Sequence, residues 1–451
     1  MKDKKALVVG MGRSGIAAAY ALINAGIKVS VQDSKQKDAI DPEALKIFEA
    51  KGIDMFFGSV PEDMSSFDSV VVSPGVPTDL GFIKEAKAGG AEIIGELELA
   101  YRLGKGSYAA ITGTNGKTTT TTLTGEMFKA AGRTTHVVGN IGVAVVSKAA
   151  QAEDEDWLVT EVSSFQLETI DEFHPKVAAL LNLTPDHLDR HKTFENYIAA
   201  KARVFENQTK EDYAVLNFDD PLVMKLAPEI EATVVPFSRV EELPFGAFVK
   251  NGDIVIRDHD EKLITFCAAD DLLIPGTHNL ENALAATAVA WFAGVDKEAI
   301  IKALTTFAGV EHRIEDCGTV DGVKYINDSK GTNPDAAIKA IEAIKENIIL
   351  IAGGYDKGSD FTEFVEAFDG RVKHVILLGT TAVKIKDAAE KAGFTATTIV
   401  KDMDDCVKEA ARLAKEGDNV LLSPACASWD MYGSYEERGR HFKKCVEELR
   451  K

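Results

Sequence analysis

Residues 107–120, SYAAITGTNGKTTT, decide how this chain is read. An apolar run through Thr112 is followed by Gly113, Thr114, Asn115 and Gly116, then Lys117 and a threonine-rich stretch to Ala130. The run fits a buried strand and the stretch after it a helix. Strand, glycine turn, lysine, hydroxyl and helix are the parts of a phosphate-binding loop, although GTNGKT is shorter than the usual G-x-x-x-x-G-K-[ST]. Gly113 and Gly116 let backbone N–H groups converge on anionic oxygens, and the helix start adds its dipole. Lys117 supplies a mobile charge for the β- and γ-phosphates, and the Thr118 hydroxyl, with Thr119 beside it, faces a Mg²⁺ position. An ATP site is expected here. The bland alternative is a glycine turn with an exposed lysine.

Outward from this loop the chain reads as α/β throughout. On the amino side, ALVV (6–9), a turn with Gly10, Gly12 and Gly15, an Ala-rich helix and KVSVQD (28–33) outline a nucleotide-binding βαβ unit ending in Asp33. A tight glycine turn in any α/β domain would look the same. SVVVSPGVP (69–77) is strand-like and breaks into a loop at Ser73, Pro74 and Gly75. On the carboxyl side, strands are expected at 157–161, 177–183 and 213–216, an irregular β-rich region at 231–275 with a turn at Asn251-Gly252, and a helix from Asn279 to Phe292. The pattern restarts after residue 309 with a hairpin at Asp321-Gly322, then strands at 347–352, 373–378 and 419–423 between helices. Three domains follow, at 1–97, 98–309 and 310–451, in keeping with roughly 150 residues per domain.

The 451 residues carry 51 Lys and Arg against 71 Asp and Glu, a formal charge of −20. That balance disfavours non-specific adhesion to nucleic acid or anionic lipid but leaves room for an anionic ligand in a local basic pocket. Five cysteines without a C-x-x-C pair argue against a disulfide framework or a thiolate zinc site. Lys2, Lys4 and Lys5 ahead of apolar residues resemble a leader. Arg13 and the three glycines interrupt its core, and no run reaches the roughly 18 apolar residues of a membrane span. A cytoplasmic protein is expected, with neither a nucleic-acid nor a membrane partner.

Several groups are candidates to surround the ATP. Glu161 ends the strand WLVTE, where a carboxylate suits Mg²⁺, although a capping or surface acid reads alike. NLTPDHLDRH (182–191) crowds two aspartates, two histidines and an arginine after a strand, so His187 is a candidate for a metal or a ligand. Lys201 lies in FENYIAAKARVF, where periodicity makes it a solvent-facing helix lysine without a role. Asn279 and Asn282, three apart, share a helix face and either touch a ligand or cap.

Taken together, TGTNGKTTT (112–120), GNIG (139–142), TEVSSFQLE (160–168), NLTPDHLDR (182–190), GTHNLENALA (276–285), EHR (311–313), NDSKGTN (327–333), GGYDKG (353–358), LSPACASWD (422–430) and EERG (436–439) resemble the Mur ligases of peptidoglycan synthesis. The motifs span the chain in the family's order. The resemblance implies a three-domain Mur ligase fold: a Rossmann-like N-terminal domain, a central P-loop ATPase domain and a Rossmann-like C-terminal domain. It is nearest to the D-glutamate-adding branch; the D-N-P-R motif of the diaminopimelate-adding branch is absent.

The resemblance further implies ATP-dependent addition of D-glutamate to UDP-N-acetylmuramoyl-L-alanine through an acyl phosphate, with a monomer as the expected state. Gly113, Thr114, Asn115, Gly116, Lys117, Thr118 and Thr119 would hold the phosphates, and Asn279, Asn282, Arg313 and Asp328 the rest of ATP. Thr118, Glu161, His187 and Lys201 would serve Mg²⁺, Lys201 as a carbamylated lysine. Lys117, Glu161, His187, Lys201 and Lys330 form the implied catalytic set. Ser14, Asp33, Lys35, Gly75, Asn140, Ser163 and His187 would take the UDP-sugar, and Thr332, Lys357, Ser428 and Tyr435 the D-glutamate. Tyr435 stands where the family commonly has phenylalanine, Lys35 where it has arginine, and His191 where it has tyrosine. Other Mur ligases and folylpolyglutamate synthases are the neighbouring alternatives. An NAD-dependent oxidoreductase built on residues 10–15 is the alternative from a different class.

Overall fold

A computed structural model describes residues 4–344 and 346–450; Lys2, weighed above as part of a leader, lies outside them. Three sheets carry the chain. In the first, Asp54–Phe57, Lys28–Asp33, Lys5–Val9, Ser69–Val72 and Glu92–Gly95 lie side by side in that order, all parallel. The winding reverses between Lys5–Val9 and Ser69–Val72, which opens a crevice at their carboxyl ends. The glycine pattern has a steric cause there. Gly10 has φ +87°, and a Cβ on Gly15 would collide with the Gly10 carbonyl oxygen, which also accepts the Ser73 hydroxyl at 2.7 Å. The strand stops at Val72, short of the 69–77 run, because Pro74 has no N–H to continue the ladder.

The second sheet runs Leu263–Ala268, Asp253–Arg257, Gly246–Lys250, Thr233–Ser238, Tyr213–Asn217, Val177–Leu180, Ser107–Thr112, Trp157–Glu161, Thr135–Gly139. From Gly246–Lys250 onward every pairing is parallel. The antiparallel hairpin before it turns at Asn251 (φ 52°) and Gly252 (φ 86°), as its sequence demands. Ser107–Thr112 is an interior strand, and Tyr108 through Thr112 are buried, so an uninterrupted apolar run is what it needs.

The third sheet runs Glu315–Val320, Val323–Asn327, Asn419–Leu422, Ile348–Ala352, Val372–Leu377, Thr397–Ile399, with only the first pair antiparallel. Its hairpin turns at Asp321 (φ 50°) and Gly322 (φ 76°).

The three domains pack as two compact units. The first holds both leading sheets and comprises the chain through Leu183, Thr193–Ala269 and Asn282–Thr305; the second comprises Thr184–Lys192, Asp270–Glu281 and the chain from Thr306. One apolar cluster, from Ala6, Val8 and Phe48 to Leu180 and Tyr197, runs through both sheets of the first unit. Glu98, fully buried within that unit, accepts the backbone N–H groups of Asp171, Glu172 and Phe173 and the Arg102 guanidinium. Among the described residues, no helix is long and apolar enough to cross a membrane.

Candidate active site

The phosphate loop lies in the first unit, between Ser107–Thr112 and the helix Lys117–Ala130. Gly116, at φ +84°, could not carry a side chain, because a Cβ would run into the Asn282 amide. Asn182, given no role in the sequence reading, clamps the loop: its Oδ1 accepts the Asn115 N–H at 2.8 Å and its Nδ2 donates to the Asn115 carbonyl at 3.1 Å. Thr114 Oγ1 lies 2.9 Å from the Tyr197 hydroxyl. Lys117 Nζ donates to the carbonyls of Gly113 at 2.8 Å and Thr114 at 2.7 Å, which folds its charge over the loop. Thr119 Oγ1 is buried without a partner among the described residues.

At the start of this helix Thr118 Oγ1 donates to Glu161 Oε2 at 2.7 Å, and Asn140 Nδ2 donates to Glu161 Oε1 at 2.9 Å. Glu161 is buried, which overturns its surface-acid alternative. A hydroxyl, a carboxylate and an amide brought together beside a phosphate loop fit Mg²⁺, a hard cation that prefers oxygen ligands.

Lys201 corrects the reading from periodicity. It is 2% exposed, not solvent-facing, because it follows Tyr197 by one turn and both point inward. Its Nζ donates to the Gly113 carbonyl at 2.8 Å and to Thr112 Oγ1 at 3.4 Å, and lies 4.8 Å from the Tyr197 ring centroid. Leaving such a group unpaired would cost at least about 1–3 kcal/mol, so the site is built around the lysine head.

In the crevice of the first sheet, Ser14 lies on the first turn of the helix Arg13–Asn24, with Lys35 and Gly75 in the neighbouring loops. Asp33 is committed to the backbone, accepting the N–H groups of Met11 at 2.6 Å and Lys35 at 2.9 Å. Ser163 caps the short helix Ser164–Leu167 in a reciprocal box with Gln166, so its hydroxyl has a structural task.

The second unit holds the remaining candidates. His187 has φ 53° and lies with Nε2 3.6 Å from Asp186 Oδ2; it belongs to this unit, whereas Thr118, Glu161 and Lys201 belong to the first. Asn279 Nδ2 donates to the Pro275 carbonyl at 2.6 Å. Arg313 Nε is a buried donor without a partner among the described residues, which suits an anionic or carbonyl-bearing ligand. Asp328 accepts the Ser423 hydroxyl at 2.7 Å, and burial pushes its carboxyl up to about 6. Lys330 Nζ lies 3.3 Å from the Tyr435 hydroxyl. Lys357 Nζ is 3.5 Å from Asp186 Oδ1, Ser428 is buried, and the Thr332 N–H donates to the Lys330 carbonyl at 2.9 Å.

One residue without a prior role organises this region. Arg438 is 2% exposed, donates to Ser329 Oγ at 3.0 Å, the Ser329 carbonyl at 2.8 Å and the Cys426 carbonyl at 3.1 Å, and is pushed down to about 10 by burial. It ties the loop bearing Lys330 to the loop bearing Ser428. The EERG string carries it, but an arginine in a helix reads from sequence as a solvated residue.

Comparison with known proteins covers the chain from end to end. Family models described as Mur ligase MurD-like N-terminal domain, Mur ligase middle domain, and Mur ligase glutamate ligase domain match residues 4–95, 111–290 and 312–426. A UDP-N-acetylmuramoylalanine–D-glutamate ligase of Alkaliphilus oremlandii is 54% identical over all of both chains, and one of Clostridioides difficile 50% identical, again over all of both. Among solved structures, a pseudomurein peptide ligase type C from Methanothermus fervidus superposes with TM-score 0.61 at 21% identity, over 99% of this chain and 100% of that one. A UDP-N-acetylmuramate-alanine ligase from Thermotoga maritima gives 0.60 at 20% identity, over 99% of each. These two likenesses concern the fold.

Proposed function

The chain belongs to the Mur ligase family, and on that premise we propose that it joins D-glutamate to UDP-N-acetylmuramoyl-L-alanine at the expense of ATP. The observation that carries the ATP chemistry is the Thr118–Glu161 contact beside the GTNGKT loop. The relatives' printed name supplies the two substrates. Family membership removes the oxidoreductase alternative.

A carboxylate is a poor electrophile, and amide formation from it must expel an oxygen. In the proposed reaction the alanyl carboxylate attacks the γ-phosphorus, ADP leaves, and the carbonyl carbon becomes an acyl phosphate. The D-glutamate amine then attacks that carbon, loses a proton, and phosphate departs with the C–O bond electrons. Lys117, folded over the loop carbonyls, is the cation for the transferring phosphoryl group, and the loop N–H groups fix its orientation. Mg²⁺, when bound, would neutralise phosphate charge; Thr118 and Glu161 would hold it, with His187 and a carbamylated Lys201 as further ligands. What supports a role for Lys201 at the phosphate loop is its position: it is buried, with Nζ 2.8 Å from the Gly113 carbonyl.

We assign the UDP-sugar to residues 1–97, around Ser14, Asp33, Lys35 and Gly75, with Asn140 and Ser163 toward its sugar. ATP falls to 98–309 with Arg313 and Asp328, and D-glutamate to 310–451 with Thr332, Lys357, Ser428 and Tyr435. A cytoplasmic monomer is the proposed working form. Phosphate release tests the reading. It should require ATP, UDP-N-acetylmuramoyl-L-alanine and D-glutamate together, and a panel of D- and L-amino acids should support it with D-glutamate alone. Equal rates with L-glutamate, or release without an amino acid, would contradict it.

A further inference from the structure

The C-terminal domain carries a group of metal-binding side chains that the ligation does not use. His441 and Cys445 lie four residues apart on the helix Tyr435–Glu448, and so on one face. Asp404, in the first turn of the helix Met403–Leu413, meets that face. His441 Nε2 is 3.0 Å from Asp404 Oδ2, Cys445 Sγ is 3.8 Å from Asp404 Oδ1, and the three ligand atoms all lie within 4.8 Å of one another. We propose that Asp404, His441 and Cys445 bind a zinc ion that clamps these two helices together.

Four observations carry the proposal. A tetrahedral zinc with bonds of about 2.0–2.3 Å keeps its ligands roughly 3.3–3.7 Å apart, and the separations of 3.0 Å and 3.8 Å, made to the two different oxygens of Asp404, lie within a few tenths of an ångström of that range. The Tyr432 hydroxyl lies 3.0 Å from His441 Nδ1, an outer partner that fixes the ring and leaves Nε2 for the metal. Cys445 is buried, while the side chains of His441 and Asp404 are 31% and 45% exposed, so a metal and a fourth ligand can reach the cluster from the His441 and Asp404 side. One nitrogen, one sulfur and one oxygen form a zinc-type set, which Mg²⁺ and Ca²⁺, as hard cations, do not favour.

The comparable trio Glu311, His312 and Glu315 differs in that a cation already occupies it: Lys443 Nζ donates to Glu311 at 2.9 Å and to Glu315 at 2.7 Å. On binding, the Cys445 thiol proton leaves to solvent as the S–Zn bond forms. The clamp would stiffen the helix that carries Tyr435 and Arg438.

Cobalt tests the site in the full-length chain. Chelator-treated protein titrated with Co²⁺ should gain tetrahedral visible bands and a thiolate charge-transfer band in the near ultraviolet, at one equivalent. Zn²⁺ should displace both bands, and excess Mg²⁺ should not. Cobalt at the oxygen-rich phosphate site gives no sulfur band. Cys445→Ser and His441→Gln should each weaken binding by more than the roughly 10–100-fold that outer partners are worth, and Tyr432→Phe by about tenfold. His441 is partly exposed, so its variant carries the test if Cys445→Ser fails to fold. Cys406→Ser, at the neighbouring buried thiol, should keep the band. No thiolate band, a band lost with Cys406 and kept without Cys445, or unchanged binding by His441→Gln would overturn the proposal.

Discussion

The Thr118 hydroxyl donates to the Glu161 carboxylate at 2.7 Å, across 43 residues of sequence. This pairing holds an anionic oxygen pair at the first turn of the helix behind the phosphate loop. Glu161→Gln keeps the size and an acceptor for Thr118 but removes the charge. Turnover should fall on the order of 100-fold, with the Mg²⁺ concentration for half-activation rising, because the negative charge that would face the metal is lost. Steady-state rates against Mg²⁺ check this; an unchanged Mg²⁺ dependence would mean that Glu161 serves only to fix Thr118.

Gly15 is where the N-terminal glycine pattern meets its steric limit, since a Cβ there would press on the Gly10 carbonyl. Gly15→Ala should displace the turn at the switch-point crevice and raise KM for the UDP-sugar at least about tenfold, a cost of about 1.4 kcal/mol. KM for ATP should hold. If the KM for ATP rises instead, the nucleotide-sugar assignment to this crevice is wrong.

How much of this was legible in sequence differs by residue. The three α/β segments, two of the three hairpin turns and the phosphate loop are readable, because Asn251-Gly252 and Asp321-Gly322 encode their own turns and GTNGKT its own curvature. Lys201 reads as solvent-facing because the polar identity of lysine outweighs its phase. Tyr197 one turn earlier, and Val204 and Phe205 just beyond, mark the buried side of that segment. Its partner, the Gly113 carbonyl, is 88 residues away, and no local pattern announces such a bond. Arg438 and Asn182 were missed for the same reason: each acts on backbone that only the fold brings near. The edge strands Asp54–Phe57 and Thr397–Ile399 were too short to stand out.

His278 gives a pH signature. Burial, with Arg313 and Lys339 adding repulsion, pushes its imidazole from 6.5 down to about 3. Below pH 6.5 the unfolded chain takes up a proton that the folded one refuses, so stability falls on acidification toward pH 3. Between pH 6.5 and 5 the loss is about 1.6 kcal/mol. His278→Gln should remove that part of the slope in urea denaturation measured across this range. An identical slope in the variant would show that His278 binds its proton equally well in the folded and unfolded chain.

Lys201→Ala should lose most activity and regain part of it with a short carboxylate such as formate, because a carbamate would have supplied an oxygen ligand. Lys201→Arg should stay inactive in the same formate series, since guanidinium brings charge of the wrong sign. Failure of any short carboxylate to rescue the alanine variant, with its fold intact by circular dichroism, would return Lys201 to a structural lysine that anchors the Gly113 carbonyl.

The acyl phosphate is the centre of the account, and oxygen transfer reads it directly. UDP-N-acetylmuramoyl-L-alanine labelled with ¹⁸O in the alanyl carboxylate is turned over with ATP and D-glutamate, and the released phosphate is analysed by mass spectrometry. One ¹⁸O is expected in each phosphate formed, matched mole for mole by the amide product. Unlabelled phosphate accompanying amide formation would show that ATP is cleaved without activating the carboxylate, and would contradict the acyl-phosphate route.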